Sequence, residues 1–258
     1  MTITKSQDPQ AQGATQEPSN AAERRNRGYG LSLKRDLFGR RGGKTLRPAQ
    51  RSRLERLLPQ LAVDVSVLDA LDPAEIFAET RARRYWLEIG FGGGEHLAWQ
   101  AQHSPDVGII GAEFYLNAVS TALRHIEEAE VAPRCRVHLG DGRDFMDALR
   151  PGSLERIFIL HPDPWRKARH WDRRIISAAT LDRAAELLQP GGELRMATDH
   201  VDYQFWMMRI ATQHPRFAWS PLSHQAYTHQ AEDWPTTRYQ AKAAREGRPP
   251  VFCTLIRR

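Results

Sequence analysis

The chain has 258 residues, 41% of them hydrophobic, and a formal net charge of +6. That length suits one large domain with an appendage, and its two cysteines, Cys135 and Cys253, form neither a metal-type nor a redox-type pair, which argues against a disulfide scaffold and a cysteine-held metal. The longest apolar run, Val107 to Ala112, is far too short to cross a bilayer, and the first ten residues carry no apolar signal core, so a cytoplasmic protein is expected.

Residues 1–27, rich in Gln, Ala, Ser and Pro, have no periodicity and are expected to be a disordered tail. Residues 28–80 read as a basic arm followed by a lead-in helical segment. Between 24 and 56 there are twelve Lys or Arg against only Asp36 and Glu55, including Arg40-Arg41-Gly42-Gly43-Lys44. A concentrated cationic arm suits a polyphosphate partner, because phosphate contacts supply most nucleic-acid affinity; a solvated charge run is the alternative.

From residue 81 to 258 strands and helices alternate, which predicts a Rossmann-like, doubly wound α/β domain with a mostly parallel sheet and helices on both faces. Expected strands are Tyr85 to Ile89, Val107 to Ala112, Cys135 to Leu139, Leu154 to Leu160, Glu193 to Ala197 and Phe252 to Ile256. Expected helices are His96 to Gln102, Leu116 to Glu130, Ile175 to Leu188 and Val201 to Thr212, the third stopped by Pro190-Gly191-Gly192.

Three of these strands end in an acid. After the first comes Glu88-Ile89-Gly90-Phe91-Gly92-Gly93-Gly94-Glu95, a glycine-rich turn of the kind that lets a backbone approach a ligand closely. A dinucleotide fingerprint needs glycine where Glu95 stands, and a carboxylate there opposes a pyrophosphate; S-adenosylmethionine, which has no phosphate, fits Gly90, Gly92 and Gly94 better. The second strand ends in Glu113, 25 positions after Glu88, close to the spacing at which an acid meets ribose hydroxyls. The third ends in Gly140-Asp141-Gly142 and offers an acceptor for an adenine amino group. Singly each acid reads as a solvated strand end; together they read as one cofactor site.

The fourth strand runs into His161-Pro162-Asp163-Pro164-Trp165. Prolines on either side hold Asp163 at the carboxyl end of a strand, where open α/β sheets place their ligands. Trp165 is a candidate for stacking on a base or for packing beneath the turn. Lys167, Arg169, Arg173 and Arg174 are expected to open the following helix as a phosphate-facing strip, with ordinary surface charge as the alternative.

With Glu88-Ile89-Gly90-Phe91-Gly92, Glu113, Asp141, Pro162-Asp163-Pro164-Trp165, Lys167, Arg173-Arg174, Ala197-Thr198-Asp199 and Thr237-Arg238-Tyr239 in order, the chain resembles the tRNA (guanine-N7)-methyltransferase family, bacterial single-chain type, over about residues 83–258. The resemblance implies a class I S-adenosylmethionine-dependent methyltransferase with tRNA as partner. It implies cofactor contacts at Glu88, Glu113 and Asp141, and a place for Asp163 in both cofactor binding and catalysis. Substrate contacts are implied at Lys167, Asp199 and Thr237, Arg238, Tyr239 and Gln240. Two positions depart from the family pattern: His161 stands where phenylalanine is usual, and Gln240 where glutamate is common. An amide offers one acceptor and one donor group where a carboxylate could take both N1 and N2 of guanine, so weaker guanine selectivity is expected unless Asp199 supplies the acceptor. No metal is expected, nor an obligatory protein partner; a monomer or homodimer fits. A class I methyltransferase acting on another RNA or a protein amide, and a non-catalytic RNA-binding homologue, are the competing readings.

Overall fold

The structure, a computed structural model, describes residues 43–65, 70–219 and 227–258. The expected tail 1–27 and residues 28–42 of the basic arm lie outside the described residues. Seven strands, β1 (Arg84–Ile89), β2 (Val107–Glu113), β3 (Cys135–Leu139), β4 (Leu154–Leu160), β5 (Leu188–Thr198), β6 (Phe217–Ala218) and β7 (Val251–Arg257), build one sheet in the order 3-2-1-4-5-7-6. The first five strands are parallel, whereas β7 runs antiparallel to both β5 and β6. Every residue of β2 is buried, which is why its sequence VGIIGAE shows no alternation: a parallel strand covered on both faces has no polar side.

The helices are α1 (Pro48–Leu61), α2 (Pro73–Ile76), α3 (Glu95–His103), α4 (Leu116–Glu128), α5 (Gly142–Ala148), α6 (Ala178–Leu187), α7 (Val201–Gln213) and α8 (Arg238–Arg245). Strand pleating sends alternate side chains of β1 to opposite faces. Leu87 and Ile89 join Ile157, Ile159, Leu194 and Met196 in a core covered by α5, α6 and α7. Trp86 faces the other way, into a core with Phe158, Leu97, Val119 and Leu123. Leu54, Leu57, Leu58 and Leu61 of α1 enter that second core, so the lead-in segment packs against the sheet, and Val63 N–H donates to Val137 O at 2.9 Å. Each such leucine contributes on the order of 1.5–3 kcal/mol through area removed from water. β1 and β4 are neighbours, although the chain visits β2 and β3 between them. The winding direction reverses there, opening a crevice at the carboxyl ends of the strands.

Two expectations need correction. The fifth strand begins at Leu188, five residues early, because Leu188 pairs with Leu154 before a register shift that absorbs Pro190, Gly191 and Gly192. The cationic run after the Pro-Asp-Pro turn does not open the next helix. It forms a separate 3-10 turn, Ala168–Arg173, and α6 starts only at Ala178, where the Ser177 hydroxyl accepts from Thr180 N–H at 3.2 Å. The two-residue strand β6 is too short to leave a period in the sequence.

Candidate active site

At the crevice the ends of β1, β2 and β4, with the loop after β3, enclose a cavity of about 500 Å³. Glu88, Gly90, Gly92, Glu113, Asp141 and Asp163 all line it, so the acids expected at the strand tips do converge. Gly90 has φ +71°, and nothing lies within 4 Å of where its Cβ would stand, which leaves the backbone open to a ligand. Gly94 is a correction. It does not line the cavity; with φ +72° it caps α3, and a Cβ there would sit 2.4 Å from Ala122 Cβ, so this glycine serves helix packing.

The carboxylates at the ends of β1, β2 and β3 are buried and already held. Glu113 accepts from Gly92 N–H at 3.0 Å on one oxygen and from Tyr115 N–H at 2.9 Å on the other, which fixes both oxygens. Burial pushes its carboxyl above the ordinary range, the backbone N–H groups oppose that, and the nearby charge of Asp163 adds to it. Glu88 accepts from His96 at 2.8 Å, both groups being only 2% exposed. Asp141 caps α5 through Arg143 N–H at 2.8 Å, and the Arg143 guanidinium also pairs with it at 2.5 Å. Asp141 thus enters the cavity as half of an ion pair rather than as a lone acceptor. Glu95, at the start of α3, lines the cavity too, but Arg238 pairs with it through both its guanidinium and its backbone N–H. With its charge answered by Arg238, Glu95 does not by itself oppose a diphosphate; the glycine spacing does.

The wall formed after β4 is built on strained backbone. His161 and Trp165, at the two ends of the Pro-Asp-Pro turn, have φ of +48° and +40°, a left-handed conformation that non-glycine residues rarely adopt. Strain of this kind, on the order of 1–3 kcal/mol per residue, persists only where surroundings enforce it. Here Arg174 Nε donates to Pro164 O at 3.0 Å, and the Arg173 guanidinium sits 5.2 Å above the Trp165 ring. Asp163 stays exposed at the cavity mouth, with Trp165 and Arg173 beside it and Thr237 on the facing wall.

Several expected substrate residues are placed differently. Arg174 is no phosphate ligand: it is 3% exposed, stacked against Trp171, Tyr203 and Trp206 while bracing the turn. Gln240 is buried as well. Its Oε1 accepts from Thr237 N–H at 2.7 Å, the Thr237 hydroxyl accepts from Gln240 N–H at 3.3 Å, and its Nε2 donates to Gln230 at 3.0 Å. That is a capping box at the start of α8, which uses both ends of the amide that was expected to read guanine. Asp199 stands outside the cavity lining, paired with Arg248 and 3.4 Å from His161 Nδ1, and His161 itself lines the wall. Lys167 is exposed beyond the rim; the Tyr239 side chain lies outside the described residues. Burial and the Arg248 charge hold the His161 imidazole down at about 4, so it is neutral at physiological pH. His96, Phe114, Tyr115 and Arg143 line the cavity without having been anticipated. Arg143 had a local signal, two positions after an N-capping aspartate, whereas His96 meets Glu88 only through the pairing of α3 with β1.

Among the described residues no helix is long and apolar enough to cross a membrane, and no cluster of three or more His, Cys, Asp or Glu could hold a metal ion. Cys135 and Cys253 are free and buried, their thiols pushed up to about 12 by burial.

Comparison with known proteins finds a match to the family described as "Putative methyltransferase" over residues 82–253. The tRNA (guanine-N(7)-)-methyltransferase of Paramagnetospirillum magneticum is 43% identical over 247 residues, covering 95% of this chain and 99% of its own. That of Ruegeria sp. is 43% identical over 228 residues, covering 86% and 88%. Among solved structures, the 16S rRNA methyltransferase KamB aligns over 76% of this chain and 98% of its own, with 11% identity and a TM-score of 0.49.

Proposed function

The chain belongs to the tRNA (guanine-N7)-methyltransferase family, and we propose that its cavity transfers the methyl group of S-adenosylmethionine to N7 of a guanine in the tRNA variable loop. The residues present fit that donor. An open glycine turn, a buried Glu113 on two backbone N–H groups and Asp141 at adjoining strand tips offer a cleft without phosphate-binding glycine spacing. When bound, the donor supplies an electrophilic methyl on a sulfonium. Glu88, Gly90, Gly92, Glu113 and Asp141 are the residues that would hold it.

Guanine N7 exposes a lone pair on the Hoogsteen edge and needs to lose no proton before attacking in line. The protein's task is therefore placement and charge. The proline-locked turn sets Asp163 beside the path, where a fixed carboxylate stabilises the positive charge arriving on the purine. Trp165, backed by Arg173, offers a stacking face worth about 1–3 kcal/mol to an unpaired base. Neutral His161 is 3.4 Å from the Asp199 carboxylate, which also pairs with Arg248 outside the cavity lining, and the Gln240 amide is engaged in its capping box, so neither side chain is free to read the guanine N1 and N2 donors.

One observation carries this reading: Asp163, held in a turn with left-handed residues at both ends, shares a single cavity with Glu113 and the glycine loop. Incubation of unmodified tRNA with methyl-labelled donor, followed by mapping of the label by mass spectrometry, tests it. Label on N7 of one variable-loop guanine is expected; label on another atom or another loop, or none, overturns it.

A further inference from the structure

From the cavity lining a buried hydrogen-bond chain leads inward to the segment before Thr237. Its members are Glu88 on β1, His96 and Gln100 on α3, and the backbone of Asp233. Asp233 O is solely an acceptor, so the Gln100 atom 2.7 Å from it must be the amide nitrogen. That same nitrogen lies 3.0 Å from His96 Nε2, which must then accept as well. A ring nitrogen that accepts carries no proton, so His96 is protonated on Nδ1 and donates from there to Glu88 Oε2 at 2.8 Å. Both hydrogens of one side-chain amide thus fix the histidine tautomer that serves the buried carboxylate.

The chain is locked sideways too. The His96 ring meets Phe158 edge-on at 4.8 Å and Trp234 at 5.8 Å, and Gln100 is 1% exposed. Asp233 and Trp234 belong to the segment that leads into Thr237 and α8. The Asp233 carboxylate bridges Arg156 of β4 at 2.8 Å and Arg195 of β5 at 2.7 Å, while Trp234 packs on Ala197 and Phe252. A shift of this segment on RNA binding would act directly on Gln100, and through His96 on Glu88.

We infer that His96 and Gln100 are positioning residues that tie the donor-facing carboxylate Glu88 to the segment presenting Thr237, so that donor and tRNA binding are coupled through them. The inference rests on the assignment of this cavity to S-adenosylmethionine and tRNA. The test uses the full chain and Gln100→Glu, a near-isosteric variant whose carboxylate cannot donate to His96 or to Asp233 O. In the wild type, nitrogen NMR of His96 is expected to report a proton on Nδ1 and none on Nε2; in the variant Nε2 faces a carboxylate and gains a hydrogen-bonded proton while Nδ1 keeps the one it donates to Glu88. The variant should bind S-adenosylmethionine at least 5-fold more weakly, raise the KM for tRNA at least 5-fold, and lose the effect of tRNA on donor affinity. His96→Asn, whose amide can still donate to Glu88, should restore donor affinity to within about 2-fold while leaving the tRNA KM raised. Unchanged donor affinity and KM in folded Gln100→Glu, or His96 protonated on Nε2 in the wild type, overturns the inference. A merely structural role would lower the melting temperature and leave those constants alone. If the wild type itself neither binds the donor nor methylates tRNA, the functional assignment fails instead, and the two failures are told apart.

Discussion

The two halves of the cavity are built in opposite ways. Glu88, Glu113 and Asp141 are 2%, 7% and 6% exposed and hang from strand ends, two of them holding backbone N–H groups. Across from them, Asp163 and Lys167 are exposed, the turn bearing Asp163 is strained, and Thr237 arrives on a helix cap from a distant part of the chain. A small donor needs a preformed, rigid cleft, and strands supply it. On the proposed function a large RNA brings its own surface, so the exposed half has only to present charge, a stacking ring and one fixed carboxylate.

That contrast breaks most visibly at Asp163. Asp163→Asn removes the charge and keeps the shape, so single-turnover methylation should fall about 10²–10³-fold while donor affinity, measured by calorimetry, stays within a few fold. Near-normal turnover would remove Asp163 from the reaction.

His161 sharpens the contrast from the stability side. The unfolded imidazole takes up its proton below its usual 6.5, but the folded one does so only near 4. Between those values acid favours the unfolded chain, so stability falls as pH drops through this window, by at most about 3 kcal/mol. His161→Phe has no such proton to take up. Denaturant titrations at pH 7 and pH 4.5 should show the wild type losing more stability than the variant; equal losses would place His161 in a more polar setting.

A smaller effect is expected at the rim. Lys167→Glu should weaken tRNA binding roughly 10-fold and lower the salt slope of log Kobs by about 1, if the exposed ammonium meets backbone phosphate. An unchanged slope, read by filter binding at several salt concentrations, would make it surface charge.

The smallest change is at Gln240. Because its Oε1 caps α8, Gln240→Glu should keep the capping box, with Gln230 turning its amide to donate, and leave guanine selectivity within about 2-fold. A large gain in methylation of guanine would show that this position reads the base after all.

The same contrast governs how much was legible in the sequence. The parallel sheet, its strand ends and the convergence of Glu88, Glu113, Asp141 and Asp163 follow from periodicity and from acids placed at strand tips, since strand order fixes where those tips meet. Arg174 and Gln240 misled because a residue type says nothing about whether its polar group is already engaged. One is enclosed by three aromatic rings and the other closes a capping box. Gly94 looked like part of the ligand turn, but the neighbouring Ala122 claims it. In the Glu88, His96 and Gln100 chain only the i,i+4 pair of His96 and Gln100 on α3 was readable in the sequence; its ends, Glu88 and Asp233, belong to other elements and meet that pair only when α3 packs on the sheet and residues 227–237 lie over it.

The account stands most directly on calorimetric titration of S-adenosylmethionine into the RNA-free protein. A preformed donor cleft predicts saturable, one-to-one binding with no RNA present, weakened at least 10-fold by Glu113→Gln and little changed by Asp163→Asn. Binding that appears only after tRNA is added, or that ignores Glu113, would contradict it.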